Sequence, residues 1–204
     1  MAREESRGKQ YDLMLSGAVE RLADERPADI AARAGIAWDE ARRALRLETF
    51  GKAVGLAWPA WEATPELGMW HHLSVLQYLS GADGTLPTGA WIALSEMGQG
   101  GSVRGTSFDR AIDDMIARTL SDLSPEPFKA RCLALGARFV DGVADVCADF
   151  DFMPRYPFRL NFWAADDEFP ASGKVLVDAG VCHCLGVEAA GTMAQYLVEL
   201  LGKR

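Results

Sequence analysis

The sequence predicts an α+β fold, with helices packed on a small antiparallel sheet made of an N-terminal hairpin and a C-terminal three-strand meander. Three observations carry that expectation. Apolar residues recur at helical spacing over 11–35, 65–80, 106–136 and 187–201. They alternate with period two around 45–58 and again over 145–178. Turn chemistry separates these stretches without a linker or internal repeat, so residues 11–204 read as a single domain and residues 1–10 as a disordered tail.

Tyr11, Leu15, Ala18 or Val19, and Leu22 share one helical face. Pro27 suits a first helical turn and Gly35 a position just past a helix end, which frames a short second helix. Leu45, Leu47 and Thr49 then alternate with Arg46, Glu48 and Phe50, and Val54, Leu56 and Trp58 alternate after Gly51-Lys52, the pattern of a hairpin. Thr64-Pro65-Glu66 combines a cap residue, a first-turn proline and an acid at the positive end, so it predicts a helix start at 65. The helix it opens, about 65–80, is apolar around most of its circumference and is expected in the core. Residues 81–90 and 98–105 read as loops, with Trp91–Leu94 an apolar run of undecided type between them. Two helices follow, one with Phe108, Ile112, Met115, Ile116 and Leu120 on one side, the other opening at Ser124-Pro125 and ending near Gly136. The last third gives three strands, about 145–152, 158–163 and 174–178, a meander with one wet face, and then a closing helix over Val187–Leu201.

The 204 residues carry a net charge of −8. Residues 1–52 balance 10 Lys/Arg against 10 Asp/Glu, so the acid excess lies beyond them. That balance argues against nucleic acid as a partner, because such binding rests on many Lys/Arg–phosphate contacts. No apolar run of membrane-spanning length and no signal-like N-terminus is present, so no membrane partner and a cytoplasmic location are expected. The four cysteines lack a C-x-x-C pair and read as reduced thiols.

Four constellations could carry chemistry. In Cys182-His183-Cys184, an extended backbone would point both thiols one way and the imidazole the other, so the segment reads as buried packing and no metal site is expected. His71 and His72 diverge around the core helix, which suits satisfied core histidines better than a chelating pair. Asp145, Asp149 and Asp151 share a strand face, and Asp166-Asp167-Glu168 follows in a turn. The EF-hand spacing is missing, and the repulsion at 4 Å in water is only about 1 kcal/mol per pair, so a solvated acidic face is expected. The Gly98–Gly105 stretch holds Arg104 ahead of a helix, a setting that favours an anion, yet it lacks the P-loop and dinucleotide patterns and reads as a plain loop.

Two segments, residues 70–94 and 152–180, together with the spacing between them, resemble the family of domain of unknown function 3786, found in bacteria and archaea. The likeness rests on Leu76, Tyr78, Leu79, Gly84, Pro87, Thr88, Gly89 and Trp91, then on Trp163, Asp166, Asp167, Glu168, Phe169, Pro170 and Asp178. It covers roughly residues 25–200, and the acid at 167 departs from the glutamate usual there. The resemblance implies no activity and no catalytic residue. Some relatives are joined to a cysteine-rich iron–sulfur module, whose cysteine pattern these residues do not contain.

The expected function is a non-catalytic accessory or ligand-binding domain, with Trp91, Arg104, Trp163, Asp167 and Glu168 lining a pocket between the core helix and the C-terminal sheet. The relatives' iron–sulfur attachment would place it beside a cofactor- or metal-dependent redox system. Second stands a protein–protein interaction module docking through the acidic face, and third a hydrolase or transferase using Asp167 and Glu168 as acid and base. No cofactor is identified, the partner is a small molecule or a protein, and the small residues Gly186, Ala189, Ala190, Gly191 and Ala194 leave a homodimer open beside packing within the chain.

Overall fold

The computed structural model describes residues 2–98 and 101–203. In chain order, α1 spans Ala2–Leu22 and α2 Pro27–Ala34, followed by β1 (Ala37–Asp39), β2 (Ala44–Thr49), β3 (Lys52–Ala57) and β4 (Ala63–Thr64). Next come α3 (Met69–Gly81), β5 (Trp91–Ile92), α4 (Thr106–Thr119), α5 (Pro125–Ala134) and β6 (Arg138–Phe139). The chain finishes with β7 (Val146–Met153), β8 (Tyr156–Trp163), β9 (Ser172–Asp178) and α6 (Val187–Gly202). The architecture is α+β, as the periodicities predict. No helix among the described residues is long and apolar enough to cross a membrane.

The short-range rules account for most boundaries. Pro27 stands in the first turn of α2, and Gly35 closes it in the left-handed region with its N–H returned to Ala31 O. The hairpin forms as expected but turns one residue earlier than Gly51-Lys52: Thr49 pairs with Lys52 across Phe50-Gly51, both with positive φ (46° and 71°), the turn that suits the twist of paired strands. A Cβ at position 51 would stand 2.7 Å from the Leu135 carbonyl carbon, so glycine is also required by packing.

The expected elements become larger sheets. The hairpin gains two edge strands, giving the antiparallel order β1-β2-β3-β4. The meander β9-β8-β7 gains β5 on one edge and β6 on the other. Phe50 N–H donates to Asp151 O at 2.8 Å and links the two sheets. Helix α4 packs on β9, α5 on β7 and Tyr78 of α3 on Phe152, with α6 packed behind against α3 and α4. Phe50, Phe152, Phe158 and Tyr156 form one aromatic cluster and Phe128 stacks on Phe162 at 4.1 Å.

Three local expectations are corrected. Thr64 does not cap a helix: Ala63 and Thr64 pair with Leu56 and Gly55 as an edge strand, and α3 begins at Met69, four residues after the expected start at 65. Backbone pairing to β3 outweighs a cap signal of about 1 kcal/mol. The outer face of β7 and β8 is wet only in part: Asp145 is exposed and Asp151 half-buried, while Asp149 is buried. Arg159 forms a two-pronged pair with Asp149 (2.6 and 2.8 Å), Arg138 does the same with Asp151 (2.6 and 2.9 Å), and the Trp91 ring lies 4.3 Å from the Arg159 guanidinium. Neutralised in this way, Asp149 is buried, whereas Asp145, Asp166, Asp167 and Glu168 stay exposed. Finally, Gly101–Gly105 is a wide helical turn running directly into α4, while residues 99 and 100 of the expected loop lie outside the described residues.

Candidate functional site

The site is organised by a buried carboxylate at the end of β9. Asp178 is fully enclosed and accepts the Gly89 N–H at 2.6 Å, the Gly180 N–H at 2.8 Å and the Thr88 hydroxyl at 3.3 Å. Trp91 pairs with Asp178 across the sheet. The Thr88, Gly89, Trp91 and Asp178 positions of the family resemblance are therefore one contact, a latch that fastens the loop after α3 to the loop after β9. Gly89 has φ +77°, which glycine adopts without strain.

The latch sets two turns face to face. At the end of α3 the Ala82 N–H closes on Tyr78 O, and the chain leaves in extended conformation into Asp83. Asp83 Oδ1 accepts the Thr85 N–H at 2.9 Å, and Arg155 ties this turn to α2 by donating to Gly84 O (3.1 Å) and Arg33 O (2.9 Å). On the other side, Cys182–Cys184 forms one turn of 3-10 helix, closed by Cys184 N–H on Val181 O. The two turns meet because residue 81 is glycine: a Cβ there would lie 2.3 Å from the Cys184 carbonyl oxygen.

Asp83, His183 and Cys184 converge in this contact. His183 Nε2 stands 2.9 Å from Asp83 Oδ2 and 3.6 Å from Cys184 Sγ, and Cys184 Sγ stands 3.9 Å from Asp83 Oδ1. Asp83 and His183 are exposed and Cys184 is buried. The Thr85 N–H, and after it His183, holds the Asp83 carboxyl far below the usual carboxylate range. Burial, and after it the Asp83 charge, pushes the Cys184 thiol above its ordinary value. This is not a Cys–His–Asp relay, since a relay needs the thiol and carboxylate on opposite ring nitrogens, and here both face Nε2.

His183 and Cys184 also line a groove of about 720 Å³ that follows α3 from Trp70 to Gly81. Met14 of α1, Trp70 and Leu73 of α3 and Phe108 of α4 supply its apolar wall. Arg21, Gln77, Arg104 and Glu188 supply its polar rim, with Arg104 3.5 Å from Glu188. The volume lies within the range of about 300–1,000 Å³ common to small-molecule sites.

The five residues expected to line one pocket are dispersed. Trp91 pairs with Asp178 and Trp163 with Ser172, so the two tryptophans stand six residues apart along β9, or about 20 Å at strand rise. Asp167 and Glu168 are exposed in the turn beyond Trp163, and Asp166 Oδ1 accepts the N–H groups of Glu168 and Phe169. Only Arg104 lines the large groove. The histidines of α3 diverge as expected: His71 Nε2 meets the Thr49 hydroxyl at 2.7 Å, and His72 Nε2 meets Trp61 O at 2.7 Å.

Cys182-His183-Cys184 is a 3-10 turn and not the extended segment that alternation would require. Near 120° per residue, a 3-10 turn lets His183 and Cys184 face a common point. Asp83 carried no signal of its own within a stretch of turn residues. The only available hint was the Cys-His-Cys cluster directly after a Gly-containing strand end.

The model of one family, described as domain of unknown function (DUF3786), matches residues 26–200. No curated protein and no solved structure matches the chain.

Proposed function

The chain belongs to the family of domain of unknown function 3786, and on that premise we propose that it is a non-catalytic accessory domain that binds a small molecule along α3. The observation that carries this reading is the groove itself, with an aromatic and aliphatic wall facing two arginines, two glutamines and Glu188. Such a surface suits a ligand with a flat or apolar body and a polar, anionic end. The iron–sulfur attachment of relatives noted above favours service to a cofactor- or metal-dependent redox system. Docking through an acidic strand face has less support, because Asp149 and Asp151 are already paired with arginines. Acid–base catalysis by Asp167 and Glu168 also has less support, because neither carboxylate is enclosed in a cleft.

The test is thermal shift of the full chain against nucleotides, haem and corrinoids, beside a Thr192→Trp variant that fills the groove from α6. A compound that raises Tm in the wild type and not in the variant supports the reading. A flat response across the panel, or equal shifts in both proteins, refutes it.

A further inference from the structure

We infer that Asp83, His183 and Cys184 form a binding site for a divalent transition metal of the zinc class, with its fourth position open to the groove. The inference goes beyond the groove reading and does not require it, since the ion binds to the chain's own donors.

Three donor types converge: a carboxylate oxygen, an imidazole nitrogen and a thiol sulfur, all within 4.8 Å of one another. Without an ion the carboxylate links the other two, with Nε2 on Asp83 Oδ2 and the Cys184 thiol donating at long range to Asp83 Oδ1. Nε2 also stands 3.6 Å from Cys184 Sγ, so all three donor atoms face one point. A cation in the middle engages all three.

The spacing fits a particular ion. Tetrahedral zinc, with Zn–S about 2.3 Å and Zn–N or Zn–O about 2.0–2.2 Å, holds sulfur about 3.5 Å from nitrogen and nitrogen about 3.4 Å from oxygen. Here Nε2 lies 3.6 Å from Sγ and 2.9 Å from Asp83 Oδ2, and Sγ lies 3.9 Å from the other carboxylate oxygen, Oδ1. One donor atom from each residue falls within 4.8 Å of the rest, so small side-chain shifts complete a tetrahedral set. The donor set also selects the class. A thiolate with an imidazole suits zinc, cobalt or iron(II), whereas calcium and magnesium require oxygen shells.

The scaffold is built for the encounter. Two loops about a hundred residues apart are pinned by Asp178, by the glycine at 81 and by Arg155 on the Asp83 turn. The Thr85 N–H on Asp83 Oδ1 orients the carboxylate from behind, as outer-shell partners of metal ligands do. On binding, Cys184 releases its thiol proton to solvent and ligates as thiolate. Three protein ligands leave one tetrahedral position, and His183 and Cys184 both border the groove, so a groove ligand can complete the coordination.

Titration of the reduced full chain with Co2+ tests this. A 1:1 complex is expected, with a near-ultraviolet sulfur-to-cobalt charge-transfer band and visible tetrahedral bands, all displaced by Zn2+ and untouched by Ca2+ or Mg2+. Cys184→Ala abolishes the charge-transfer band. His183→Ala and Asp83→Asn, both at exposed side chains, weaken binding by about tenfold or more. Cys182→Ala leaves the spectrum unchanged, because its thiol is turned to Ala179 O at 3.3 Å. Circular dichroism checks the fold of each variant. Absence of the band in the wild type, its survival in Cys184→Ala, its loss in Cys182→Ala, or displacement by Ca2+ overturns the inference. Thr192→Trp keeps the cobalt spectrum even where it abolishes small-molecule shifts, so the two readings fail separately.

Discussion

Replacing Asp178 by alanine tests the latch that holds the two loops together. The wild-type carboxylate is wholly enclosed and accepts from two backbone amides and one hydroxyl. Alanine leaves those donors without an acceptor, at about 1–3 kcal/mol for each one that stays dry. Thr88 and Gly89 lie at the surface, so water can reach some of the gap, and the expected net loss is about 3 kcal/mol. With a urea slope of about 2–3 kcal/mol per molar, the unfolding midpoint falls by about 1–1.5 M. Thr88→Val removes the long hydroxyl donation to Asp178 and the acceptor of the exposed Ala90 N–H, which water can replace, and costs about 1 kcal/mol. Because the two residues touch, the double variant loses less than the sum of the single losses. Equilibrium urea unfolding followed by tryptophan fluorescence measures all three. An Asp178→Ala loss below about 0.5 kcal/mol, or strict additivity with Thr88→Val, would show that the loops are held by something else.

Two further outcomes follow from the same geometry. Burial, with smaller contributions from Lys52 and His72, pulls the His71 imidazole down to about 4. The unfolded chain then takes up a proton at His71 before the folded one does, so stability is fully present above about pH 6.5 and declines as pH falls toward 4. The loss is about 3 kcal/mol at 1.36 kcal/mol per pKa step. His71→Gln flattens that part of the urea-derived stability profile, and an unchanged profile in the variant refutes the assignment. Gly81→Ala, although alanine normally favours a helix by about 1 kcal/mol, is expected to destabilise the chain by about 1–3 kcal/mol as the new Cβ meets the Cys184 carbonyl. It also weakens Co2+ uptake, and a rise in Tm with unchanged uptake would contradict the close approach of the two turns.

The amino-acid order determined the elements wherever local physics was decisive. Pro27 and Gly35 bracket α2, Phe50-Gly51 turns the hairpin, and the alternation of Phe158, Leu160 and Phe162 fixes which face of β8 meets the helices. The same alternation placed Asp149 and Asp151 on the opposite face. Whether that face met water was not a local matter, because the arginines that neutralise it arrive from β6 and β8. Thr64-Pro65-Glu66 shows the opposite case, a sound cap signal overruled by pairing with β3.

The candidate site divides in the same way. Thr88, Gly89, Trp91 and Asp178 could be singled out as sequence motifs, but that they form one buried contact depends on the antiparallel docking of β5 on β9. Arg104 borders a cavity along α3 that includes none of the other residues expected beside it. Asp83 and His183 are a hundred residues apart. A carboxylate, an imidazole and a thiol have no mutual geometry until the chain is closed around them, and periodicity reports only which face a residue takes on its own element. The order of residues determined the helices, the strands and the latch donors; the packing of α3 against the turn after β9 determined the triad.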